Sequence, residues 1–315
     1  MKIAVVGCGV IGSVHIRVLN DLGFQVGALC DTDKSKTDKF DCKYKYTDYV
    51  RMLDDYKPDV VHICTPHHLH ADMVVEALTR DVNVLCEKPL CIKYDDIHRI
   101  TEAEKKSRAQ LGVCHQNRFN KENIFVKNYL KDKRVVSAHG EMIWHRDEEY
   151  YNSSPWRGKK QTEGGGVLIN QALHTLDLLQ WFAGMPEKVK SSLSNITLKG
   201  IIEVEDTANL ICSDGANFTL FATNGSSCTF PVNITIKTEN ENILISNGKV
   251  IINDKLITFN NDQGYGKKCY GGGHFSLIST FYNCIKTQTK FSIDGEEASK
   301  VVKIILKAYE NQYLK

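Results

Sequence analysis

The sequence contains no apolar run of about 18 residues, the length that a membrane-spanning helix requires, so we expect no membrane span. It has no excess charge of either sign: 40 Lys and Arg face 38 Asp and Glu, and a net charge of +2 indicates neither a nucleic-acid partner nor an anionic membrane. CxxC pairs are absent, and the 11 cysteines are scattered and odd in number. This pattern favours reduced thiols in a cytoplasmic protein over a disulfide framework or a zinc site.

A length of 315 residues suits two domains, and the first third of the chain alternates strand and helix patterns. The segments KIAVV, QVGALC, DVVHIC, NVLC and QLGVC read as strands, with helical patterns at about 69–80 and 94–107 between the later ones. Such alternation predicts parallel βαβ units. We therefore assign residues 1–118 to a dinucleotide-binding Rossmann domain.

The first predicted strand runs directly into Gly7-Cys8-Gly9-Val10-Ile11-Gly12, after which a helical pattern begins. Glycines in such a turn let backbone N–H groups approach a pyrophosphate at a helix N-terminus. A tight turn without a ligand is the alternative. Asp31 favours the dinucleotide, because it follows the second strand, 19 residues beyond Gly12, where a carboxylate would accept hydrogen bonds from ribose hydroxyls. It also favours NAD over NADP, although Lys34 and Lys36 are close enough to offset its charge.

Two further stretches follow predicted strands and should share this edge of the sheet: Thr65-Pro66-His67-His68-Leu69-His70 and Glu87-Lys88-Pro89. Lysine is rarely buried without a reason, and proline ends a strand ladder, so the second stretch presents an amine at the cofactor edge. The three histidines of the first stretch raise the possibility of a metal site. They would otherwise line a loop beside the nicotinamide ribose or face solvent, and no cysteine or carboxylate cluster supports metal.

Residues 119–315 have a different pattern, which we assign to a second α/β domain. A helix at about 121–131 and a strand near 134–144 precede an irregular stretch, 145–166, that suits either a sugar-binding loop or a surface excursion. A helix is predicted over 167–184, with Gly184 as its C-cap. Asn170, His174 and Asp177 would then share one stripe, either solvated or facing a cleft. Short alternating strands from 187 to 259 predict a mostly antiparallel sheet, and helices are expected from Gly271-Gly272-Gly273-His274 to about 288 and from about 295 to 313.

The order and spacing of several segments resemble the glucose–fructose oxidoreductase, inositol dehydrogenase and rhizopine-catabolism (Gfo/Idh/MocA) family. The segments are VVGCGVIGSVH, TPHHLH, CEKPL, GGGVLINQALHTLDLLQW, VEDTA and GGGHFSLISTFYNCI. The resemblance implies a Rossmann domain with a parallel sheet, followed by an α/β domain with a large, mostly antiparallel open sheet. It also implies a homodimer or homotetramer, a last helix packed back on the Rossmann domain, and a cis Lys88–Pro89 bond.

The resemblance further implies that Lys88 contacts the nicotinamide ribose and the substrate hydroxyl, and that His174 accepts the proton. Many members have an aspartate where this chain has Asn170; sequences resembling 3-dehydrogenases of nucleotide-linked sugars tolerate asparagine. Pattern and resemblance together give these cofactor candidates: Gly7, Gly9, Val10, Ile11, Gly12, Asp31, Thr65, Pro66, His67, His70, Glu87, Lys88 and Gln116. They give these substrate candidates: Lys88, Arg118, His145, Tyr151, Trp156, Arg157, Asn170, His174 and His274.

These residues suit oxidation of a secondary alcohol, because a cationic Lys88 would stabilise a developing alkoxide while a neutral imidazole takes its proton. The resemblance therefore predicts an NAD-dependent dehydrogenase of a sugar, inositol or sugar nucleotide. A glycosidase that uses tightly bound NAD for transient oxidation and elimination is one alternative. A non-catalytic sensor is another, and the presence of both Lys88 and His174 argues against it.

Overall fold

Six parallel strands form the N-terminal sheet of the computed structural model, which describes residues 1–260, 264–265 and 272–312. The strands are β1 (Ile3–Val6), β2 (Val26–Cys30), β3 (Tyr44–Tyr46), β4 (Val60–Ile63), β5 (Asn83–Cys86) and β6 (Leu111–Val113). Their order is β3-β2-β1-β4-β5-β6, which reverses between β1 and β4. Ligands of such sheets bind at this reversal, beyond the carboxyl ends of the strands.

Five helices connect these strands: α1 (Val10–Asp21), α2 (Lys34–Thr37), α3 (Tyr49–Tyr56), α4 (His70–Leu78) and α5 (Tyr94–Lys106). Strands β1 and β4 are buried along their whole length, as expected for a parallel sheet with both faces covered. The predicted alternation is confirmed, and the helix bounds differ from the prediction by a residue or two.

A second sheet of eight strands has the order β14-β13-β12-β11-β7-β10-β9-β8. The elements of this part are α6 (Lys121–Tyr129), β7 (Val135–Ile143), α7 (Glu148–Asn152), α8 (Leu173–Ala183), β8 (Lys188–Ser194), β9 (Thr207–Ser213), β10 (Phe218–Thr223), β11 (Asn233–Thr238), β12 (Asn242–Ser246), β13 (Lys249–Ile252) and β14 (Lys255–Thr258). The pair β7–β10 is parallel, and the other neighbours in this sheet are antiparallel. The predicted fold class is therefore confirmed.

Helix α8 packs closely on this sheet at Gly140 of β7. A Cβ atom at Gly140 would lie 2.9 Å from methyl carbons of both Leu179 and Thr175. The helix ends at Gly184, whose φ of 100° is the left-handed conformation that glycine adopts without strain. The predicted C-cap is thus confirmed.

The predicted start of this helix at residue 167 is wrong, because α8 begins at Leu173 and residues 166–172 form successive turns. The buried carboxylate of Glu205 accepts the N–H groups of Gly166 (2.9 Å) and Leu168 (3.1 Å). Asn170 therefore precedes the helix rather than sharing a helical stripe with His174.

Two more helices complete the chain: α9 (Gly273–Thr287) and α10 (Gly295–Glu310). The predicted helix opening at Gly271 and the predicted end near residue 313 both lie outside the described residues. The chain divides into two compact units, Met1–Gln116 with Asp262–Ser299, and Asn117–Asn261 with Lys300–Lys315. Packing of the last helix on the Rossmann domain stays a prediction.

The C-terminal segment of the first unit closes against β6. A Cβ atom at Gly112 would lie 2.8 Å from the ring of Phe281 and 3.0 Å from that of Phe291. The backbone N–H of Val113 donates to the carbonyl of Ile293 over 3.0 Å. Residues far apart in sequence thus build one core.

The ten cysteines in the described parts of the chain are free thiols. Within those same parts, no helix combines the length and the apolar character needed to cross a membrane.

Candidate active site

The glycine loop between β1 and α1 leaves space where a pyrophosphate would approach. Gly7 has φ +83°, and a Cβ there would lie 2.4 Å from the Cys64 carbonyl oxygen; a Cβ at Gly12 would lie 2.0 Å from the Gly7 oxygen. At Gly9, by contrast, an added Cβ would meet no atom within 4 Å. No side chain caps the N-terminus of α1, so its first N–H groups and dipole are directed at this opening, as in dinucleotide sites.

Asp31 is fixed beside this loop at the end of β2. Its Oδ2 accepts the N–H of Cys8 over 2.8 Å, and its Oδ1 accepts the N–H of Asp33 over 3.0 Å. The ammonium of Lys36 lies 3.7 Å from Oδ1. A carboxylate held in this way can also accept the hydroxyls of an adenosine ribose, so the loop and Asp31 together fit NAD.

His70 joins the two remaining stretches at this edge of the sheet. Its Nδ1 lies 2.7 Å from the Pro89 carbonyl oxygen, and its Nε2 lies 2.8 Å from that of Thr65. Both ring nitrogens lie against backbone carbonyls, and burial lowers the pKa of His70, so the neutral ring donates its one N–H to one of the two oxygens. His70 therefore packs between the two loops as a support. Pro66 begins the short 3₁₀ turn His67–Leu69, and the ring of His67 packs 6.0 Å from that of His70.

Lys88 lies between two backbone anchors in this region. The backbone N–H of Lys88 donates to Oε2 of Glu87 over 3.3 Å. One residue further on, the carbonyl oxygen of Pro89 lies against Nδ1 of His70. The Lys88–Pro89 peptide bond is cis, as the resemblance implied. Gln116 is buried at the start of the 3₁₀ turn after β6, the last of the predicted cofactor positions.

A buried chain of hydrogen bonds supports Glu87 from behind. Its Oε1 lies 3.0 Å from Nε2 of His15; Nδ1 of His15 lies 2.8 Å from Nδ1 of His62; and Nε2 of His62 lies 2.9 Å from the Tyr282 hydroxyl. Burial lowers the pKa of both His15 and His62. Burial also acts to raise the pKa of Glu87, but hydrogen bonds from His15 and His274 outweigh it and hold that pKa well below its usual range.

With neutral His15 and His62 and an ionised Glu87, all the hydrogen bonds of this chain donate in the same direction, toward Glu87. Tyr282 donates to His62, His62 donates to His15, and His15 donates to the ionised Glu87. This hydrogen-bonded chain was not predicted from the sequence, although a histidine inside the apolar strand VVHI already required a buried partner.

His274 belongs to this buried cluster, and its role as a substrate contact stays a prediction. It is 1% exposed, and its Nε2 lies 3.5 Å from Oε1 of Glu87. His15, Glu87 and His274 offer three atoms of metal-ligand type within 4.8 Å of one another.

Arg118, whose contact with substrate stays a prediction, uses its guanidinium within the second unit. It forms a two-pronged ion pair with Asp177, at 2.8 Å and 2.6 Å, and both side chains are buried. Asp177 therefore lies in the interior, and the proposed solvated stripe on α8 is wrong. The pair fixes α8 to the turn that carries Arg118.

The segment before α8 gathers buried polar side chains around Asn170 and Gln171. Nδ2 of Asn170 donates to the carboxylate of Glu163, whose other oxygen accepts the N–H of Gly158. Gln171 donates to the Tyr150 hydroxyl over 3.1 Å and accepts from Asn224 over 2.9 Å. Glu163 was not found from the sequence because its partners lie in irregular segments, and Asn224 was not found because Tyr151 and Gln171 are far from it in sequence.

Tyr151 and His174 occupy different environments in this region. His174 is partly buried in the first turn of α8. Tyr151 accepts a hydrogen bond from Asn224 over 3.0 Å, and burial raises its pKa, so it is a poor proton acceptor near neutral pH. His174 is therefore the better-suited base of the two.

The stretch 145–166 presents arginines around an aromatic ring. Arg146 and Arg157 lie 4.9 Å and 4.5 Å from the ring centre of Tyr150, and Arg157 also stacks on Trp156 at 4.7 Å. These groups are partly exposed. His145, in contrast, is tied to the Ser226 carbonyl over 2.6 Å at an exposed edge.

The fold and these loops define a Rossmann-type dinucleotide-binding protein with a second α/β unit. Residues 1–115 match the "Oxidoreductase family, NAD-binding Rossmann fold", and residues 134–242 match the "GFO/IDH/MocA C-terminal domain". The chain belongs to the Gfo/Idh/MocA family, and NAD is its cofactor.

Named relatives give a first indication of chemistry. Inositol 2-dehydrogenase from Salmonella typhimurium is 29% identical over 192 residues, 58% of this chain and 54% of that protein. 2,7-Anhydro-N-acetylneuraminate hydratase from Mediterraneibacter gnavus is 26% identical over 205 residues, 62% of this chain and 53% of that protein. The chain therefore spans only about half the length of the curated relatives it matches.

A solved structure matches over nearly the full length. The WlbA dehydrogenase from Bordetella pertussis, in complex with NADH and UDP-GlcNAcA, has a TM-score of 0.85 and 25% identity, covering 98% of this chain and 95% of that one.

Proposed function

We propose that this protein is an NAD-dependent oxidoreductase that oxidises a secondary alcohol of a sugar, an inositol or a sugar nucleotide. The observation that supports this most is the position of Lys88, whose backbone is anchored by Glu87 on one side and through Pro89 by His70 on the other. Such anchoring preorganises an ammonium at the cofactor edge of the sheet.

In the proposed reaction the C–H and O–H bonds of the alcohol break and a C=O bond forms. NAD, when bound, supplies the acceptor for the hydride and its electron pair. Lys88 stabilises the negative charge that develops on the oxygen, and the imidazole of His174 takes the hydroxyl proton. Asn170 orients the substrate without exchanging a proton, since an amide does not ionise near neutral pH.

A sugar nucleotide is the substrate class that we favour. Arg146 and Arg157 place two cations and exposed aromatic faces on the 145–166 stretch, and such groups recognise phosphates and bases. A neutral polyol would use neither charge. The solved relative with UDP-GlcNAcA lends support to this choice.

The test is a substrate screen with variants. The purified protein is denatured to identify any retained nucleotide, and NADH formation is followed with UDP-GlcNAcA, myo-inositol and levoglucosan. Lys88→Met and His174→Ala should lower single-turnover hydride transfer by roughly 10²–10⁴ with little change in NAD affinity. Lys93→Met and His98→Ala, at exposed positions, are the controls. Full rates in both site variants would refute the assignment.

A second candidate is a reaction without net redox change, in which bound NAD is reduced and reoxidised in each turnover. The relative named as a hydratase favours it, since adding water to a substrate consumes no NAD. Tightly retained NAD, together with cleavage of an aryl glycoside and no accumulation of NADH, would support this candidate over the first. A non-catalytic sensor would bind NAD and sugar and turn over neither.

We also propose that the protein is a homodimer or homotetramer, as the family resemblance implies, and that it is cytoplasmic, as the scattered cysteines indicate. Light scattering after size-exclusion chromatography tests this, and a mass of 35.6 kDa would identify a monomer instead.

A further inference from the structure

Glu163 is a buried carboxylate, 1% exposed, that receives two hydrogen bonds from two different segments. Its Oε1 faces Nδ2 of Asn170, and its Oε2 faces the backbone N–H of Gly158. Each oxygen therefore accepts from its own donor. Gly158 belongs to the 145–166 stretch, the proposed substrate loop, and Asn170 lies in the turn before α8, the helix that carries His174. The Glu163 side chain therefore connects this loop to the segment that leads to His174.

These contacts fix which way round the Asn170 amide lies. An ionised carboxylate only accepts hydrogen bonds, so the NH₂ end of the amide must face Glu163. The carbonyl oxygen Oδ1, on the opposite edge of the planar amide, then points away from Glu163. Asn170 is 8% exposed and lies four positions before His174 in the sequence.

We propose that Glu163 is a positioning residue that holds the Asn170 amide with its carbonyl oxygen toward the substrate. The site then selects a substrate that has a second hydroxyl group next to the one that His174 deprotonates. This second hydroxyl donates a hydrogen bond to Oδ1 of Asn170. This inference rests on the proposed function and adds a specificity element to it.

The same geometry suits asparagine better than aspartate at position 170. An aspartate side chain at this position would face the Glu163 carboxylate within hydrogen-bond distance, and two such groups cannot both be ionised. Glu163 and Asn170 thus form a matched pair of one carboxylate and one amide.

Exchanging the carboxylate of Glu163 and the amide of Asn170 tests this role. The backbone N–H of Gly158 has a fixed direction, so the group at position 163 must always offer it an oxygen. In Glu163→Gln, the glutamine Oε1 must accept from Gly158, so its NH₂ group faces residue 170 and the Asn170 amide has to flip. The substrate then meets a donor instead of an acceptor. In Asn170→Asp, two carboxylates meet. In the double variant, the glutamine NH₂ donates to the carboxylate introduced by Asn170→Asp, and every donor again has an acceptor.

Kinetics are measured with UDP-GlcNAcA, myo-inositol or levoglucosan, whichever reduces NAD. Each single change should lower kcat/KM by about 10- to 100-fold, the usual effect of a misdirected buried hydrogen bond. The double variant should recover to within about threefold of the parent, and NAD affinity should be the same in all four proteins. Glu203→Gln is the matched control, since Glu203 is an exposed carboxylate that accepts the N–H of Lys160 in the same loop.

Urea unfolding of the four proteins without ligand gives a second measurement that needs no substrate. Asn170→Asp should raise the equilibrium constant for unfolding about tenfold or more, because two carboxylates meet, and the double variant should raise it less than Asn170→Asp does. Glu163→Gln should also raise it less, since the flipped Asn170 amide accepts from the glutamine NH₂ group. Additive effects in this cycle would overturn the pairing. A restored unfolding cycle with kcat/KM still additive would overturn the substrate-facing role of the Asn170 oxygen.

Failure of the proposed function has a different signature. If His174→Ala and Lys88→Met leave hydride transfer unchanged, the reaction assignment fails whatever the Glu163 variants do. If those two changes abolish hydride transfer while the double variant shows no recovery, the reaction stands and the positioning role of Glu163 is wrong.

Discussion

Asp31 is the residue whose role follows most directly from spacing and geometry. Its distance from the glycine loop predicted contact with a ribose, and the structure holds its carboxylate against the N–H of Cys8 in that loop. The spacing was informative because strand, turn, helix and second strand have nearly fixed lengths in a βαβ unit. No comparable regularity relates Glu163 to Asn170, which lie in turns.

Replacing Asp31 tests cofactor choice. Asp31→Ser removes the charge that would repel a 2′-phosphate and leaves Lys36 nearby to attract it. The ratio of kcat/KM for NAD to that for NADP should fall at least about tenfold, or about 1.4 kcal/mol. Asp33→Ser, two residues on at an exposed N-cap, is the control and should leave the ratio unchanged. An unaltered ratio in Asp31→Ser would show that the carboxylate does not select the cofactor.

The start of helix α8 could not be predicted from the hydrophobic pattern of the sequence. The apolar spacing of VLINQALHTLDLLQW continues through residues 167–172, so a helix was predicted there. Glu205, 37 and 39 positions away from Leu168 and Gly166, captures the N–H groups of this segment instead. A partner so distant in sequence leaves no trace in the local pattern, whereas the glycine C-cap at the other end does.

The buried chain behind Glu87 should contribute strongly to stability. Glu87→Gln keeps one of the two carboxylate oxygens: Oε1 accepts from His15 and Oε2 accepts the N–H of Lys88, and an NH₂ group can replace neither acceptor, so one donor loses its partner. We expect the free energy of unfolding to fall by about 2–4 kcal/mol. Glu76→Gln, which breaks a surface ion pair with Arg80, should cost under about 1 kcal/mol. Equal losses of unfolding free energy in Glu87→Gln and Glu76→Gln, measured by urea unfolding, would contradict a stabilising role for this chain of hydrogen bonds.

Helix α5 contains a carboxyl group whose protonation favours folding. Burial, followed by the negative charge of Asp294, raises the pKa of Glu104 to about 7. The folded protein therefore holds this proton more tightly than the unfolded chain, where the pKa is near 4.5. Its contribution to stability is complete below about pH 4.5 and is lost as the pH rises through about 7.

Glu104→Gln should remove this dependence while keeping an acceptor for the N–H of Gly295. We expect the variant to exceed the parent in free energy of unfolding at pH 8, by an amount of order 1 kcal/mol because the side chain is partly exposed, with no gain at pH 5. Urea unfolding at both pH values measures it. Glu102→Gln, which loses a pair with Lys105, should show no gain at pH 8; a gain there as well would point to overall charge instead.

For the whole molecule, the sequence predicted two architectures correctly because each has a distinct hydrophobic period. Near-continuous apolar strands separated by helices predicted the parallel sheet, and alternating strands predicted the antiparallel one. It did not predict that Phe281 and Phe291 would pack on Gly112, because nothing in a local window relates residues so far apart.

The ring of Phe291 tests that long-range closure. Phe291 is 1% exposed and packs edge-on against Phe281, with ring centres 5.2 Å apart. Phe291→Ala should lower the free energy of unfolding by about 3–5 kcal/mol, the usual cost of deleting a buried aromatic ring. Phe230→Ala, at a ring that is 49% exposed, should cost far less. Similar losses in both would mean that the closing segment adds little to the core.

This closure also sets an order of events during protein synthesis. The strands of the first unit leave the ribosome first, yet the residues that cover β6 follow only after the entire second sheet has been made. During synthesis, the N-terminal part of the first unit therefore has Gly112 and its neighbours exposed until Phe281 and Phe291 have been made. Incompletely folded chains of this kind bind chaperones and are cleaved by proteases. Chains arrested before Phe291 emerges should be cleaved readily near β6, and release of the full-length chain should abolish that cleavage.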